Sequence, residues 1–108
     1  MSNLTKLFTL FTTIEREYGV ALLEKGEREI LNLIVSAEEQ KKEITAEELV
    51  DLSIASRATI YRRLSSLKES GFVSINDGSG RSILETTLKF KSFAKSLNLA
   101  AGMNDEGG

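Results

Sequence analysis

The sequence contains no cysteine, no histidine, no proline and no tryptophan. Without Cys and His there is no disulfide, no thiolate or imidazole metal site, and no catalytic scheme that needs either residue as nucleophile or base. Neither a Gly-x-Gly-x-x-Gly nor a phosphate-loop sequence is present. Asp77-Gly78-Ser79-Gly80 looks like the start of a calcium loop, but it lacks the later Glu of an EF-hand and the strand-to-helix setting of a nucleophile elbow. An enzyme is therefore not expected, and neither is a cofactor or a metal. No apolar run approaches the roughly 20 residues needed to span a bilayer. Met1-Ser2-Asn3-Leu4-Thr5-Lys6 lacks the basic start and continuous apolar core of a signal peptide. The expectation is a soluble, cytoplasmic chain with no membrane attachment, and the missing cysteines fit any redox compartment.

What is present is an ordinary globular mixture. The 108 residues are 41% hydrophobic and 28% charged, enough for one small domain with an added dimerisation element. The net charge of −2 is unevenly spread. Residues 1–55 hold six Lys/Arg and eleven Asp/Glu, a net of −5, whereas residues 56–95 hold eight and three, a net of +5. Asp105 and Glu106 supply the rest. Such asymmetry points to an acidic scaffold presenting one basic surface.

Leu4, Leu7, Phe11, Ile14 and Tyr18 are spaced 3, 4, 3, 4, and Phe8 widens the stripe. The spacing predicts a helix with Ser2 or Asn3 as its cap. Its apolar side either folds back onto the protein's own core or forms a two-helix dimer seam. After Gly26 a second helix is expected from about Glu27 to Glu39, burying Ile30, Leu31, Ile34 and Val35. Thr45-Ala46-Glu47-Glu48 reads as a capping box opening a short helix that ends near Leu52. Ser53-Ile54-Ala55 is a turn. Ser56 then caps a helix from Arg57 to Ser70 with Ile60, Leu64 and Leu67 inward, and Gly71 gives it a left-handed stop. From Phe72 the period becomes alternating, predicting strands over 72–76 and 82–86 around a glycine-rich tip, Asp77 to Arg81. A last helix from about Thr87 to Leu99 buries Phe90, Phe93, Ala94 and Leu97, and residues 100–108 are expected to fray.

A short helix turning into a longer one, followed by a hairpin, is the order of a winged helix-turn-helix. The predicted class is mostly α with a small β-hairpin wing (α+β), flanked by an N-terminal and a C-terminal helix. Three segments are expected: 1–25 for dimerisation, 26–86 for DNA binding, and 87–108 as the last helix and tail. Glu48-Leu49-Val50-Asp51-Leu52-Ser53-Ile54-Ala55-Ser56-Arg57-Ala58-Thr59-Ile60-Tyr61-Arg62-Arg63-Leu64, followed by Leu67-Lys68-Glu69-Ser70-Gly71-Phe72-Val73, resembles the DNA-binding core of MarR-type regulators. It resembles ArsR-type proteins more loosely. Arg63 stands where the MarR-type family more often has an apolar residue. Relatives often bind small effectors, but no residue here identifies one.

At about 100° per residue, with the core face centred at 0°, Arg62 falls near 200°, Ala58 near 160° and Ser65 near 140°. Tyr61 and Thr59 lie on the flanks. A guanidinium, a hydroxyl and a methyl on one outer face suit guanine edges, phosphates and the thymine methyl group. Arg62 is the candidate for bidentate guanine contact. Arg57, Thr59 and the helix N-terminus suit phosphates. Lys68 and Arg63 serve either a phosphate or a nearby carboxylate, and Arg81 on the wing reaches either the minor groove or a phosphate. The competing reading of the helix residues is a solvated polar face, and that of Arg81 is a glycine-rich turn that happens to carry a charge. Lys89, Lys91 and Lys95 fit solubility better than DNA.

The expected function is a homodimeric winged-helix protein binding double-stranded DNA, most simply a transcriptional regulator. Ser56, Arg57, Thr59, Tyr61, Arg62, Ser65 and Arg81 would meet DNA, and Leu4, Leu7, Phe8, Phe11, Ile14, Tyr18, Phe93 and Leu97 would form the dimer. The alternative is a winged helix used for protein–protein interaction without sequence-specific DNA binding.

Overall fold

The computed structural model describes residues 2–78 and 80–106, with side chains described for residues 4–78 and 80–102. The candidate caps Ser2 and Asn3, the loop residue Ser79 and the end of the expected tail therefore fall outside the described side chains. Helices α1 (Ser2–Tyr18), α2 (Lys25–Glu39), α3 (Ala46–Asp51) and α4 (Arg57–Glu69) precede strands β1 (Val73–Asn76) and β2 (Ile83–Thr86), and α5 (Leu88–Glu106) closes the chain. A 3₁₀ turn at Val20–Leu22 follows Gly19, whose φ of 80° suits a residue without a side chain. Among the described residues no helix is long and apolar enough to cross a membrane.

The chain forms two compact units. One is Met1–Leu23 with Leu88–Gly108, which brings α1 and α5 together; the other is Glu24–Thr87. In the first unit, Tyr18 and Phe90 each meet Phe93 at a ring-centroid distance of 5.8 Å, and the Tyr18 hydroxyl lies 3.5 Å from Ser96 Oγ. Ile14 and Phe93 are buried. On the outer side of α1, Thr9, Thr12 and Thr13 donate their hydroxyls to carbonyls four residues back. Contrary to expectation, α5 does not end at Leu99. It continues to Glu106, because Ala100, one heptad beyond Phe93, extends the apolar stripe and is only 4% exposed.

In the second unit, Ile30, Leu31 and Ile34 of α2, Leu49 of α3, and Ile60, Leu64 and Leu67 of α4 pack with Phe72, Val73, Ile83 and Leu84. Helix α2 begins at Lys25, before the expected Glu27. Gly26 lies inside its first turn and does not interrupt it, and a full capping box forms between Glu24 and Glu27, with the Glu24 amide 2.8 Å from Glu27 Oε1. At Thr45 only half of the expected box exists. Thr45 Oγ1 accepts the Glu48 amide at 3.2 Å, whereas the Glu48 carboxylate accepts the Thr45 hydroxyl and a guanidinium.

The stop after α4 is as the sequence predicts. Gly71 has φ of 82°, the Phe72 amide donates to the Leu67 carbonyl at 3.0 Å, and the Gly71 amide donates to Lys68 at 3.1 Å. The same six-residue closure ends α2, but there Lys41 takes the left-handed position with φ of 57°. The strands pair antiparallel, Val73 with Thr86 and Asn76 with Ile83. Thr45 bridges Ile83, and the Leu84 amide donates to the Ile44 carbonyl at 2.8 Å, so the chain entering α3 lines the free edge of β2. Glu38 fixes the base of the hairpin by accepting the Thr86 amide at 3.0 Å and the Thr86 hydroxyl at 2.5 Å.

Candidate nucleic-acid interface

Helix α4 buries Ile60, Leu64 and Leu67 completely or nearly so, which turns Ala58, Tyr61, Arg62 and Ser65 outward. Ser56 caps the helix: its Oγ accepts the Thr59 amide at 3.2 Å and its hydroxyl donates to Thr59 Oγ1 at 2.9 Å. Two of the residues expected to meet DNA therefore hold each other at the helix start.

Arg57 and Tyr61 converge on one acceptor. Glu47 Oε1 on α3 takes a short hydrogen bond from Arg57 Nη1 and a second from the Tyr61 hydroxyl at 3.0 Å. The adjacent Glu48 Oε1 takes Arg81 Nη2 of the wing at 3.3 Å. The Arg57 hydrogen bond, then that of Tyr61, holds the Glu47 carboxyl below its ordinary range. The same bonds push the Arg57 guanidinium and the Tyr61 phenol upward, each chiefly through its hydrogen bond to Glu47. These groups stay largely solvated, with side chains 59% and 56% exposed at the Arg57–Glu47 pair.

Arg62 is exposed and, with Glu24, Glu27, Arg63 and Ser66, lines a hollow of about 160 Å³. Arg63 does not share that outer face. It is half-buried against the start of α2, its Nε enclosed without a hydrogen-bond partner, as is Glu27 Oε2. Ser65 lines a larger and mainly apolar hollow of about 390 Å³, together with Ala46, Tyr61, Leu64, Lys68 and the hairpin residues Ile75, Ser82 and Leu84. At the wing tip Asn76 Oδ1 accepts the Gly78 amide at 2.9 Å, and Ser82 donates to Asp77 Oδ1 at 2.7 Å.

The structure thus brings Ser56, Arg57, Thr59 and Tyr61 together at the exposed start of α4. It sets Arg62 and Ser65 farther along that face and joins Arg81 to the group through α3. Glu47 and Glu48 are not legible from the sequence as partners of this face, since Thr45-Ala46-Glu47-Glu48 presents itself there as a capping box. Their pairing required knowing that the first turn of α3 faces both the α4 start and the wing. As a result the +5 charge of residues 56–95 is partly offset where it matters, by carboxylates of the acidic half.

The candidate dimer residues divide by exposure. Leu4 and Phe8 are 58% and 64% exposed, Leu7, Phe11, Tyr18 and Leu97 are half-buried, and Ile14 and Phe93 are interior to their own unit. Among the described residues no group of three or more acidic side chains is placed to hold a metal ion.

No protein-family sequence model matches the chain, and no curated protein sequence matches it. A solved structure does. A candidate MarR family transcriptional regulator from Clostridium acetobutylicum is 19% identical and superposes with a TM-score of 0.54, covering 98% of this chain and 75% of its own. At that identity the likeness speaks for the arrangement of elements, and it agrees with the helix order and antiparallel hairpin described above. The chain has the winged-helix fold of the MarR-type regulators.

Proposed function

We propose that the protein is a dimeric winged-helix DNA-binding protein acting in transcription regulation, with α4 entering the major groove and residues 77–81 lying near the minor groove. The observation that carries this reading is the outer face of α4. A long helix held by its core side presents Arg62, Ala58, Tyr61 and Ser65 to solvent, beside a capped N-terminus and a wing cation. Recognition helices dock by this face, with N-terminal side chains toward base edges and flanking cations toward phosphates. The structural neighbour, a candidate transcriptional regulator, supports the same reading.

Dimerisation is supported by the energetics of half-site binding and by the exposed apolar residues of α1. One half-site offers few base contacts, so two-fold symmetry and a pseudo-palindromic site supply the affinity. If each subunit neutralises about four phosphates, the dimer releases about eight counterions and log K falls with log salt at a slope near −7. That local gain outweighs a net charge of −2 because charges farther than about 8 Å are screened. Leu4 and Phe8 supply apolar surface for the partner.

A second reading, a protein-interaction module, is favoured by the carboxylates that occupy Arg57 and Arg81. Selection of bound duplexes from a random pool separates the two. Recovery of an inverted repeat is expected for the DNA-binding dimer, and no enrichment at low salt overturns it in favour of protein docking.

A further inference from the structure

We infer that Glu47 and Glu48 form a carboxylate latch on the DNA-binding face, competing with nucleic-acid phosphates for Arg57, Tyr61 and Arg81, so that duplex binding exchanges carboxylate for phosphate at each cation. The inference rests on the DNA-binding reading above and adds the groups that oppose it.

The two carboxylates are neighbours in the first turn of a six-residue helix. Successive helical residues point about 100° apart, so one side chain reaches α4 while the other reaches the wing. Glu47 Oε1 gathers Arg57 and Tyr61, and Glu48 Oε1 gathers Arg81 and the Thr45 hydroxyl. Every cation or phenol of the proposed interface that hydrogen-bonds a carboxylate is thereby held by one turn of α3. This arrangement orders Arg57 and Arg81 and also neutralises them toward any incoming polyanion.

The latch is built to open. Exposed ion pairs are weak and salt-screened, so each is exchanged at small cost when a denser array of negative charge arrives. A duplex carries one charge per about 1.7 Å of axis and releases counterions on contact, which a pair of solvated carboxylates does not match. An isolated phosphate or a weak polyanion gains little over the carboxylate it displaces. The latch therefore raises the threshold for loose association more than for a ligand that meets α4 and the wing together.

The test is duplex binding followed by fluorescence anisotropy at fixed salt, using the full chain. Glu47→Gln/Glu48→Gln is expected to bind about 5- to 20-fold tighter than the parent. In an Arg57→Ala/Arg81→Ala background the same pair of changes is expected to gain no more than simple loss of charge repulsion gives. Glu47→Gln alone leaves the Thr45 cap untouched and is expected to show a few-fold part of the gain, which guards against misfolding of the double variant. Glu43→Gln/Asp51→Asn removes two exposed carboxylates, one just before α3 and one at its last residue, and sets the size of simple charge repulsion. Affinity of Glu47→Gln/Glu48→Gln no higher than that of Glu43→Gln/Asp51→Asn, or a gain of the same size after loss of both arginines, overturns the latch while leaving the DNA-binding reading intact. Duplex binding by none of these proteins, even at low salt, overturns both. Binding by the Gln variants alone supports both.

Discussion

Arg63 occupies the space that a side chain at position 26 would need. A Cβ built on Gly26 falls 2.2 Å from Arg63 Cζ and 2.4 Å from its Nε. The glycine in the first turn of α2 is thus matched to the guanidinium of α4, and this explains how an arginine is accommodated at a half-buried position of that helix. A double-mutant cycle measures the match. Gly26→Ala is expected to destabilise the parent by about 0.5–1 kcal/mol, since the guanidinium must move. In Arg63→Ala the same change is expected to stabilise by about 0.5 kcal/mol through helix propensity. Additive effects in urea unfolding would show that the two positions do not compete for space.

The Tyr61 phenol reports the Glu47 contact. The carboxylate accepting its hydroxyl disfavours phenolate, so Tyr61 is expected to titrate above the ordinary tyrosine value near 10. Glu47→Gln should bring it down. The chain has two tyrosines, and Tyr18→Phe isolates the absorbance change. Glu47 itself moves the opposite way. Its lowered folded value means that its stabilising contacts are present above the ordinary 4.5 and lost as pH falls through the folded value below it. A Tyr61 midpoint indifferent to Glu47→Gln would remove the hydrogen bond from the site.

Lys41 closes α2 in a backbone region that costs an L-residue about 1 kcal/mol and glycine almost nothing. Lys41→Gly is therefore expected to stabilise the fold by about 0.5–1 kcal/mol. The denaturation midpoint should rise with the slope unchanged. A lower midpoint would mean that the lysine side chain contributes more than its backbone strain costs.

Exposed apolar groups on α1 bear on assembly. Phe8 is the more exposed of the two open stripe residues, and burying such a side chain contributes about 1.5–3 kcal/mol. Leu4→Glu/Phe8→Glu is expected to convert a dimer to monomer in sedimentation while leaving helix content unchanged. A parent that sediments as a monomer, or a variant that stays dimeric, would contradict the dimer seam.

Much of the fold was legible because its punctuation is local. Ser56 caps, Gly71 stops, and the change from helical to alternating period marks the hairpin. Glu24 as a cap was not legible, since Ser, Thr, Asp and Asn lead that position and a Glu–Glu box carries no distinctive signal. The end of α5 lies beyond the expected Leu99 because Ala100 reads as tail by composition, yet its burial depends on its place in the folded unit. The outer face of α4 followed from helical angle alone. What sits beside it did not: the partners of Arg57 and Arg81 are 10 and 33 residues away along the chain.

The role of the α4 outer face comes down to Arg62. Affinities of the parent and of Arg62→Ala, measured at one salt concentration for a selected duplex and for a random one, should differ for the selected duplex by about 1–3 kcal/mol. For the random duplex they should differ by only a few-fold, as loss of one charge dictates. Indistinguishable binding of both proteins to the selected duplex would contradict a groove-reading α4.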